Sequence, residues 1–306
     1  MEKFSQFMGR RNTGTPPDII HFKHVYTNGT GVIPAPIHFK HVNEAVDRDN
    51  LPHISDWSRT DDNSHLANDP NYALPTYNDS FLDHPLKKQF AAVGGVLGNQ
   101  FKNNPPDGKV KKAITSYTGY NTVDGSLSGL LFNKEPDKSD WYSHIINKSL
   151  INKTPIKNRF IPTPTQMKLQ STIDGLDDAV KKHPIQNNYD VYSGLSFDPR
   201  DHLNQDGIMN SPAFISTSHN KEKAFQFGSD AADASRQKEL HVMHLHLKSG
   251  DPAVHVAPFS RFPQEQETIL GRNTNLRYMG TQTYSSGGIL RKDQVTHVHH
   301  FSVDRG

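Results

Sequence analysis

The chain has 306 residues, enough for one large domain or two modest ones with a hydrophobic core. Only 33% of the residues are apolar and the mean hydropathy is −0.72, which predicts a compact part plus a polar part that cannot bury itself. The formal net charge of +2 argues against a nucleic-acid partner or a membrane surface, and the absence of cysteine excludes disulfides and thiolate metal sites.

No run of about eighteen apolar residues occurs, so the sequence predicts no membrane-spanning segment. The first ten residues lack the apolar stretch that a signal peptide requires. The protein is therefore predicted to be soluble and to carry no classical secretion signal.

Residues 1–85 are rich in Asn, Asp, His and Pro and show no sustained helical or strand periodicity, which predicts an extended polar N-terminal arm. The six residues Ile-His-Phe-Lys-His-Val occur twice, at 20–25 and 37–42. The repeat is either a local duplication within a tail or a pair of docking strands that add to the sheet edge of a larger assembly.

From residue 86 onward the pattern is that of a folded domain, predicted to span 86–306. Residues 86–97 form a series compatible with a helix. The segment 167–182 predicts a helix that ends before Pro184, because its apolar residues recur at intervals of three and four: Leu169, Ile173, Leu176 and Val180.

The second half of the chain predicts short strands separated by turns. Residues 239–247 alternate between two faces, as a strand requires, and a short helix is expected at 221–227. The other predicted strands are 190–195, 213–218, 268–270, 276–279 and 294–303. Helices followed by strands, without regular alternation, predict an α+β fold with mostly antiparallel pairing.

A pair of carboxylates, Glu265 and Glu267, has the spacing that places two side chains on one face of a strand. One carboxylate could stabilise a developing cation while the other engages a cationic nucleophile. The alternative is a solvated acidic strand edge. A Ser-Thr-Ser segment, Ser216 to Ser218, lies about fifty residues upstream and favours a site.

Three segments in this order resemble the motifs of ADP-ribosyltransferases of the Arg–Ser–Glu class, which includes clostridial-type toxins and phage-encoded enzymes. The first is Val-Tyr-Ser-Gly-Leu at 191–195 and the second is Phe-Ile-Ser-Thr-Ser at 214–218, followed by Ala224 and Phe227. The third is Glu-Gln-Glu-Thr-Ile-Leu at 265–270, followed by Gly271 and Leu276. The resemblance implies a core of two packed, mostly antiparallel sheets with N-terminal helices and an NAD cleft between the sheets. It also implies an early helix that carries a tyrosine, which the segment beginning near residue 113 resembles.

The resemblance also implies roles for individual residues. Glu267 corresponds to the glutamate that stabilises the oxocarbenium-like transition state, and Glu265 to the residue that orients and deprotonates an arginine acceptor. Ser216 corresponds to the hydroxyl that positions the catalytic glutamate. The expected NAD-binding residues are Tyr192, Ser193, Gly194, Thr217 and Ser218. The loop 257–263, with Phe259 and Phe262, is expected either to contact the substrate protein or to anchor itself to the core.

Ser193 departs from the family pattern, because the first motif normally carries an arginine that grips NAD. Serine cannot make a bidentate, charge-assisted contact. Another cation could reach the diphosphate, the arginine could have been removed deliberately, or the domain could be degenerate. The candidate cations are Arg200, Arg261 and Arg272.

Metal binding is not expected from the sequence. His244, His246, His297, His299 and His300 fit a zinc site only weakly, since no carboxylate or cysteine accompanies them at a useful spacing. Ordinary sheet histidines are the favoured interpretation, and NAD is the only expected cofactor, as a substrate.

The predicted function is transfer of ADP-ribose from NAD to an arginine of a target protein, a host protein if the phage analogy holds. On that analogy the chain would travel in a virion to the bacterial cytoplasm. The alternative is a structural or interaction protein, such as a virion component, with an inactive transferase domain. Plain NAD hydrolysis is a third possibility.

Overall fold

The computed structural model describes residues 51–58, 62–63, 97, 99–119, 122–123, 140–153, 163–235, 239–285 and 294–306. The predicted docking repeats at 20–25 and 37–42 lie outside the described residues, as does most of the helix predicted at 86–97. The boundary at residue 85 remains a prediction. No helix in the described part of the chain has both the length and the apolar character needed to cross a membrane.

The described part contains five α-helices before and between the strands. Their bounds are α1 Ile54–Ser58, α2 Gly108–Thr118, α3 Tyr142–Ile151, α4 Thr163–Lys182 and α5 Lys221–Ser235. The Asp107 carboxylate accepts a 2.8 Å hydrogen bond from the backbone N–H of Val110 and caps the N-terminus of α2. The apolar face predicted for α4 is confirmed, because all four of its residues are buried: Leu169, Ile173, Leu176 and Val180.

Ten strands follow the helices or lie between them. They are β1 Thr122–Val123, β2 Asp140–Trp141, β3 Tyr189–Leu195, β4 Ile208–Ser211, β5 Ile215–Ser218, β6 Glu239–Leu247, β7 Ala253–His255, β8 Glu267–Leu270, β9 Thr274–Ser285 and β10 Val295–Val303. Strands β1 and β2 pair with each other, and the remaining eight form a mixed sheet of order β4-β9-β10-β6-β3-β5-β8-β7. Among these named strands only β6 and β10 are paired in parallel, so the predicted α+β class with mostly antiparallel pairing is confirmed.

The sheet narrows at the contact between β3 and β5, where one pair of residues, Tyr192 and Ser218, joins its two halves. The expected two sheets are therefore two halves of a continuous sheet that pack against each other. Side chains from both halves form one buried cluster, which includes Val191, Met243, Leu245, Leu270, Leu276 and Phe301. Helices α2, α3 and α4 cover the β5–β8 half through a second cluster.

The helix α5 packs against β3 and β6. A third buried cluster joins α1 to this region through Ile54, Trp57, Tyr192, Ala224, Val242 and Val298. Residues 51–58 and 62–63, which the sequence places in the polar arm, therefore contact the folded domain at the strand that carries the first motif.

Candidate active site

Three of the predicted site residues lie on one face where β5 and β8 pair. Ser218 lies directly opposite Glu267, and Ser216 lies two residues earlier, opposite Ile269. Opposite residues of an antiparallel pair share a face, as do residues two apart along a strand. The side chains of Ser216, Ser218 and Glu267 therefore project to the same side, and Glu267 is 8% exposed.

The helices that cover this face supply a tyrosine and an asparagine beside Ser216. The Tyr117 hydroxyl lies 3.5 Å from Ser216 Oγ and accepts a 2.8 Å hydrogen bond from Asn147 Nδ2. Burial raises the pKa of Tyr117, and the negative charge of Glu267 raises it further, so the phenol keeps its proton. Neither Tyr117 nor Asn147 was assigned a role from the sequence, although a tyrosine was expected in this helix.

The turn before β8 differs from the expected strand. Residues Pro263–Glu265 form a 3-10 turn, Gln266 is left-handed with φ 48° and ψ 50°, and the strand begins only at Glu267. The prediction that Glu265 and Glu267 share a strand face is therefore wrong. The physical reason is Pro263, which has no N–H for a sheet and whose fixed φ favours the start of a helical turn.

The end of β5 holds this turn in place. Ser218 Oγ donates a 2.7 Å hydrogen bond to the backbone carbonyl of Glu265 and accepts one of 2.9 Å from the backbone N–H of Asn220. The Gln266 side chain donates a 2.7 Å hydrogen bond to the carbonyl of Pro263. The second and third motifs are thus linked through Ser218.

Thr217 lies on the opposite face of β5 from Ser216 and Ser218. Its hydroxyl donates a 2.7 Å hydrogen bond to the carbonyl of Thr268, and its side chain is buried. The threonine therefore stabilises the pairing of β5 with β8 from the face opposite Ser216 and Ser218.

The first motif lies on β3, next to β5. Ser193 Oγ donates a 3.0 Å hydrogen bond to the carbonyl of Ser216, so this hydroxyl is used within the sheet. A Cβ atom added to Gly194 would collide with the backbone of α5 at Gly228 and Ala224. The glycine therefore permits the close packing of α5 on β3, in addition to the NAD contact that the sequence predicts.

The start of α5 makes a buried polar contact with Trp57, Asp62 and the Tyr192 side chain. The Tyr192 hydroxyl donates a 2.5 Å hydrogen bond to Asp62 Oδ2, and Lys221 Nζ lies 2.7 Å from the same oxygen. Lys221, itself 5% exposed, also donates to the carbonyl of Trp57 and lies over the Trp57 ring. Sequence reasoning missed this contact, because its residues are separated by more than a hundred positions.

Two of the three cations considered as substitutes for the missing motif arginine already have partners. Arg200 makes hydrogen bonds to both carboxylate oxygens of Asp198, and Arg272 does the same with Asp177. Arg261 is exposed and forms no ion pair within the described part of the chain. Its backbone N–H donates a 3.1 Å hydrogen bond to Thr118 Oγ1, which fixes the loop against α2.

The loop 257–263 is anchored to the core by Phe259. The Phe259 ring packs edge-on against Phe101 at a centroid distance of 5.0 Å, and its carbonyl accepts a hydrogen bond from Thr115. Phe259 thus acts as a loop anchor, which is one of the two expected roles.

The histidines of β6 and β10 lie beside carboxylates that the sequence does not place near them. His244, His246 and His300 form one group next to Asp190, while His241 and His299 form another next to Asp198. The sequence argument against a metal considered only the spacing of carboxylates along the chain, so it missed these two aspartates. Both aspartates come from segments of the chain about 40 residues or more before β6, and sheet pairing or packing brings them to the histidines.

A comparison with protein families supports the family that the sequence resembles. The sequence matches the family described as ADP-ribosyltransferase exoenzyme over residues 137–298, just over half of the chain. No curated protein is significantly similar in sequence. The fold is similar to that of Plx2a, an ADP-ribosyltransferase toxin from Paenibacillus larvae, with a TM-score of 0.46 and 16% identity, covering 71% of this chain and 96% of that one.

Two further solved structures are similar. The ADP-ribosylating toxin BECa of C. perfringens, determined with NADH, has a TM-score of 0.47 and 14% identity, covering 71% of this chain and 48% of that one. The Vis toxin, an ADP-ribosyltransferase from Vibrio splendidus, has a TM-score of 0.45 and 12% identity, covering 79% of this chain and 91% of that one. Because the family match spans more than half of its length, the chain belongs to the ADP-ribosyltransferase exoenzyme family.

Proposed function

We propose that the protein transfers ADP-ribose from NAD to an arginine side chain of a target protein. The observation that carries the proposal is the position of Glu267, which is buried on the same face as the hydroxyls of Ser216 and Ser218. Members of the family use NAD as the substrate of ADP-ribosyl transfer, which supports NAD as the donor.

The chemistry requires a fixed negative charge beside the ribose. When the bond between nicotinamide and C1 of the ribose breaks, the electron pair leaves with nicotinamide and positive charge develops on the sugar. A carboxylate already held in place stabilises that charge without reorganising during the reaction. Glu267 meets this requirement, because its backbone is held on both sides. It pairs with Ser218 of β5, and its carbonyl accepts a 2.9 Å hydrogen bond from the N–H of Val256.

The acceptor nitrogen must lose a proton as its bond to C1 forms. A guanidinium is cationic and a poor nucleophile, so a carboxylate that orients it and takes its proton promotes the attack. We assign this role to Glu265, which is half-buried on the turn next to Glu267. Its backbone is held by Ser218 and by the hydrogen bond from its own N–H to the carbonyl of Phe262.

We assign NAD binding to the motif residues on β3 and β5. Ser216 is placed to position Glu267, because it lies two residues from Ser218 on the same face and contacts the buried Tyr117. Tyr192, Ser193, Gly194, Thr217 and Ser218 remain the predicted NAD-binding set. Of these, Thr217 would act indirectly, since its hydroxyl is committed to the Thr268 carbonyl.

Arg261 is the cation that we assign to the role of the missing motif arginine. It is exposed on the loop that leads into the Glu265 turn, and it forms no ion pair within the described residues. Arg200 and Arg272 would first have to give up bidentate contacts with aspartates. Arg261 could therefore bind the diphosphate without breaking an ion pair, whereas Arg200 and Arg272 could not.

The rival interpretation is an inactive domain in a structural or interaction protein, which Ser193 and the long N-terminal arm favour. The support of the Glu265 turn by Ser218 and the buried position of Glu267 favour the enzyme. Host delivery within a virion, and docking through residues 20–42, remain predictions.

The test is incubation of the protein with labelled NAD and a bacterial lysate, with Glu267→Ala in parallel and Glu239→Gln as the control. Glu239 is an exposed glutamate at the start of β6, outside the site. We expect labelled protein bands with wild type and the control, and none with Glu267→Ala. Absence of both labelling and nicotinamide release at millimolar NAD would support the inactive domain.

A further inference from the structure

Three histidines and one aspartate meet on a single face of the β3–β6–β10 part of the sheet. His244 and His246 are two residues apart on β6, His300 lies opposite His244 on β10, and Asp190 lies opposite His246 on β3. Residues that are paired across strands share a face, as do residues two apart along a strand. All four side chains therefore converge, although they come from three strands.

The contacts of His246 define which of its nitrogens is free to act as a ligand. His246 Nδ1 lies 2.5 Å from Asp190 Oδ1, and a carboxylate accepts the proton of that nitrogen. Nε2 then carries a lone pair, and it lies 3.1 Å from His300 Nδ1. A histidine whose second nitrogen donates to a carboxylate is the usual arrangement of a metal-bound histidine.

His244 supplies an independent observation. Its side chain is 5% exposed, and neither ring nitrogen has a hydrogen-bond partner within the described part of the chain. Its Nε2 lies 3.4 Å from Asp190 Oδ1, without hydrogen-bond geometry. The same Nε2 lies 3.7 Å from Asp62 Oδ2. Both ring nitrogens are therefore buried without a well-formed hydrogen bond, and a bound ligand would satisfy one of them.

The spacing of the three histidines fits one metal ion. Their nearest ligand nitrogens all lie within 4.8 Å of one another. Around a tetrahedral zinc ion with bonds of about 2.0–2.1 Å, ligand atoms are roughly 3.3 Å apart, so small side-chain rotations close the site.

A cavity of about 300 Å³ reaches this group and leaves room for a fourth ligand. Its lining includes His244, His300, Asp62 and Trp57, and none of the residues Ser216, Ser218 and Glu267. Asp62 is not a suitable ligand, because Lys221 and Tyr192 already occupy its Oδ2. The group of His241 and His299 is less suitable for a metal ion, because its carboxylate, Asp198, already forms an ion pair with Arg200.

We propose that His244, His246 and His300 bind one divalent transition-metal ion of the zinc class, oriented by Asp190 and with a fourth position open to the cavity. The ion would link β6 to β10 and, through Asp190, to the strand that carries the first motif. The site is separate from Glu267, so it stands or falls independently of the proposed transferase activity.

The experiment is a Co²⁺ titration of the full chain, without a purification tag and after removal of metal with EDTA. We expect the visible absorption of a tetrahedral site to saturate at one equivalent and to disappear when Zn²⁺ is added. His246→Ala and His300→Ala should abolish the saturable signal, and Asp190→Asn should weaken binding about 10- to 100-fold. His297→Ala, on the same strand but outside the group, should bind like wild type.

Failure to saturate at one equivalent, or equal binding by His300→Ala and wild type, would overturn the proposal. Because a histidine variant can lose its fold, X-ray absorption of the wild-type zinc complex provides a second measurement. We expect scattering from three imidazoles and one further oxygen or nitrogen ligand. A shell made only of water and carboxylate oxygens would overturn the proposal even if the variants were unfolded.

Discussion

The hydroxyl of Ser218 donates a 2.7 Å hydrogen bond to the backbone carbonyl of Glu265. This contact ties the last residue of β5 to the turn that precedes β8, while Glu267 pairs with Ser218 from within the strand. The two glutamates are therefore held by different elements, one by a turn and one by a sheet. Because Gln266 between them is left-handed, their relative position depends on this turn rather than on strand geometry.

The separate supports of the two glutamates predict separable functions. We expect Glu265→Gln to abolish protein labelling while leaving nicotinamide release from NAD within a few-fold of wild type. The reason is that the amide cannot take a proton from the acceptor, whereas Glu267 still stabilises the ribose cation. Protein labelling is measured with NAD labelled in its ADP-ribose half, and nicotinamide release with NAD labelled in its nicotinamide half. Parallel loss of both would mean that Glu265 acts on NAD cleavage itself.

Restoring the motif arginine should strengthen NAD binding. A hydrogen bond to a charged group contributes about 1.5–3 kcal/mol, so Ser193→Arg should lower the Kd for NAD roughly tenfold or more. Ser193→Ala is the matched control, since it removes the hydrogen bond to the Ser216 carbonyl without adding charge. Calorimetry measures both. An unchanged Kd in Ser193→Arg, with weaker binding in Arg261→Gln, would show that Arg261 already fills the role.

The close approach of α5 to β3 makes Gly194 sensitive to substitution. A Cβ at this position meets the backbone of Gly228 and Ala224, which cannot move without displacing the helix. We expect Gly194→Ala to lower the free energy of unfolding by about 1–3 kcal/mol, as overpacked sites do. Gly108→Ala, where a Cβ meets open space, should have little effect. Urea unfolding of the two variants tests this, and equal stabilities would contradict it.

The Tyr117 hydroxyl is expected to stabilise the helices over the site. Tyr117→Phe removes the acceptor of the Asn147 amide and the contact with Ser216. Leaving a buried donor unsatisfied costs about 1–3 kcal/mol, which is the expected loss in unfolding free energy. Asn147→Leu in the Tyr117→Phe background should recover part of that loss, because it removes the orphaned donor. A further additive loss in the double variant would argue against the pairing.

The buried side chain of His219 predicts that the free energy of unfolding falls in mild acid. Burial lowers the pKa of His219 to about 3, below its value of about 6.5 in an unfolded chain. Between those two pH values the unfolded state binds the proton more readily than the folded state does. The stabilisation that neutral His219 gives the folded state is therefore complete above pH 6.5 and is lost as the pH falls. His219 should contribute about 1.4 kcal/mol of loss per pH unit in this window.

Unfolding free energies at pH 7 and pH 5 in EDTA, for wild type and His219→Gln, measure this effect. The variant should lose less stability than wild type over that interval. His53→Gln is the control, because His53 is exposed. A pH dependence that is the same in wild type and His219→Gln would show that His219 does not carry the effect.

Local patterns in the chain were sufficient for most of the elements that carry the motifs. The period of two in residues 239–247 predicted β6 with its observed bounds, and the three- and four-residue spacing in α4 predicted its buried face. The segments β4, β7 and α3 were not predicted. The two strands are too short for an alternation to stand out, and the apolar residues of the ten-residue α3 were not recognised as a helical face.

By itself, the sequence determined the α+β class and the order of the three motifs, because these depend on residue type and on spacing along a few turns or strands. Only the tertiary structure decided that Asp62 meets Lys221 and that Asp190 joins the histidines of β6 and β10. Those relationships depend on strand register and helix packing between residues about 55 to 160 positions apart. No local periodicity encodes such pairings, since the free energy that selects them comes from burying whole surfaces together.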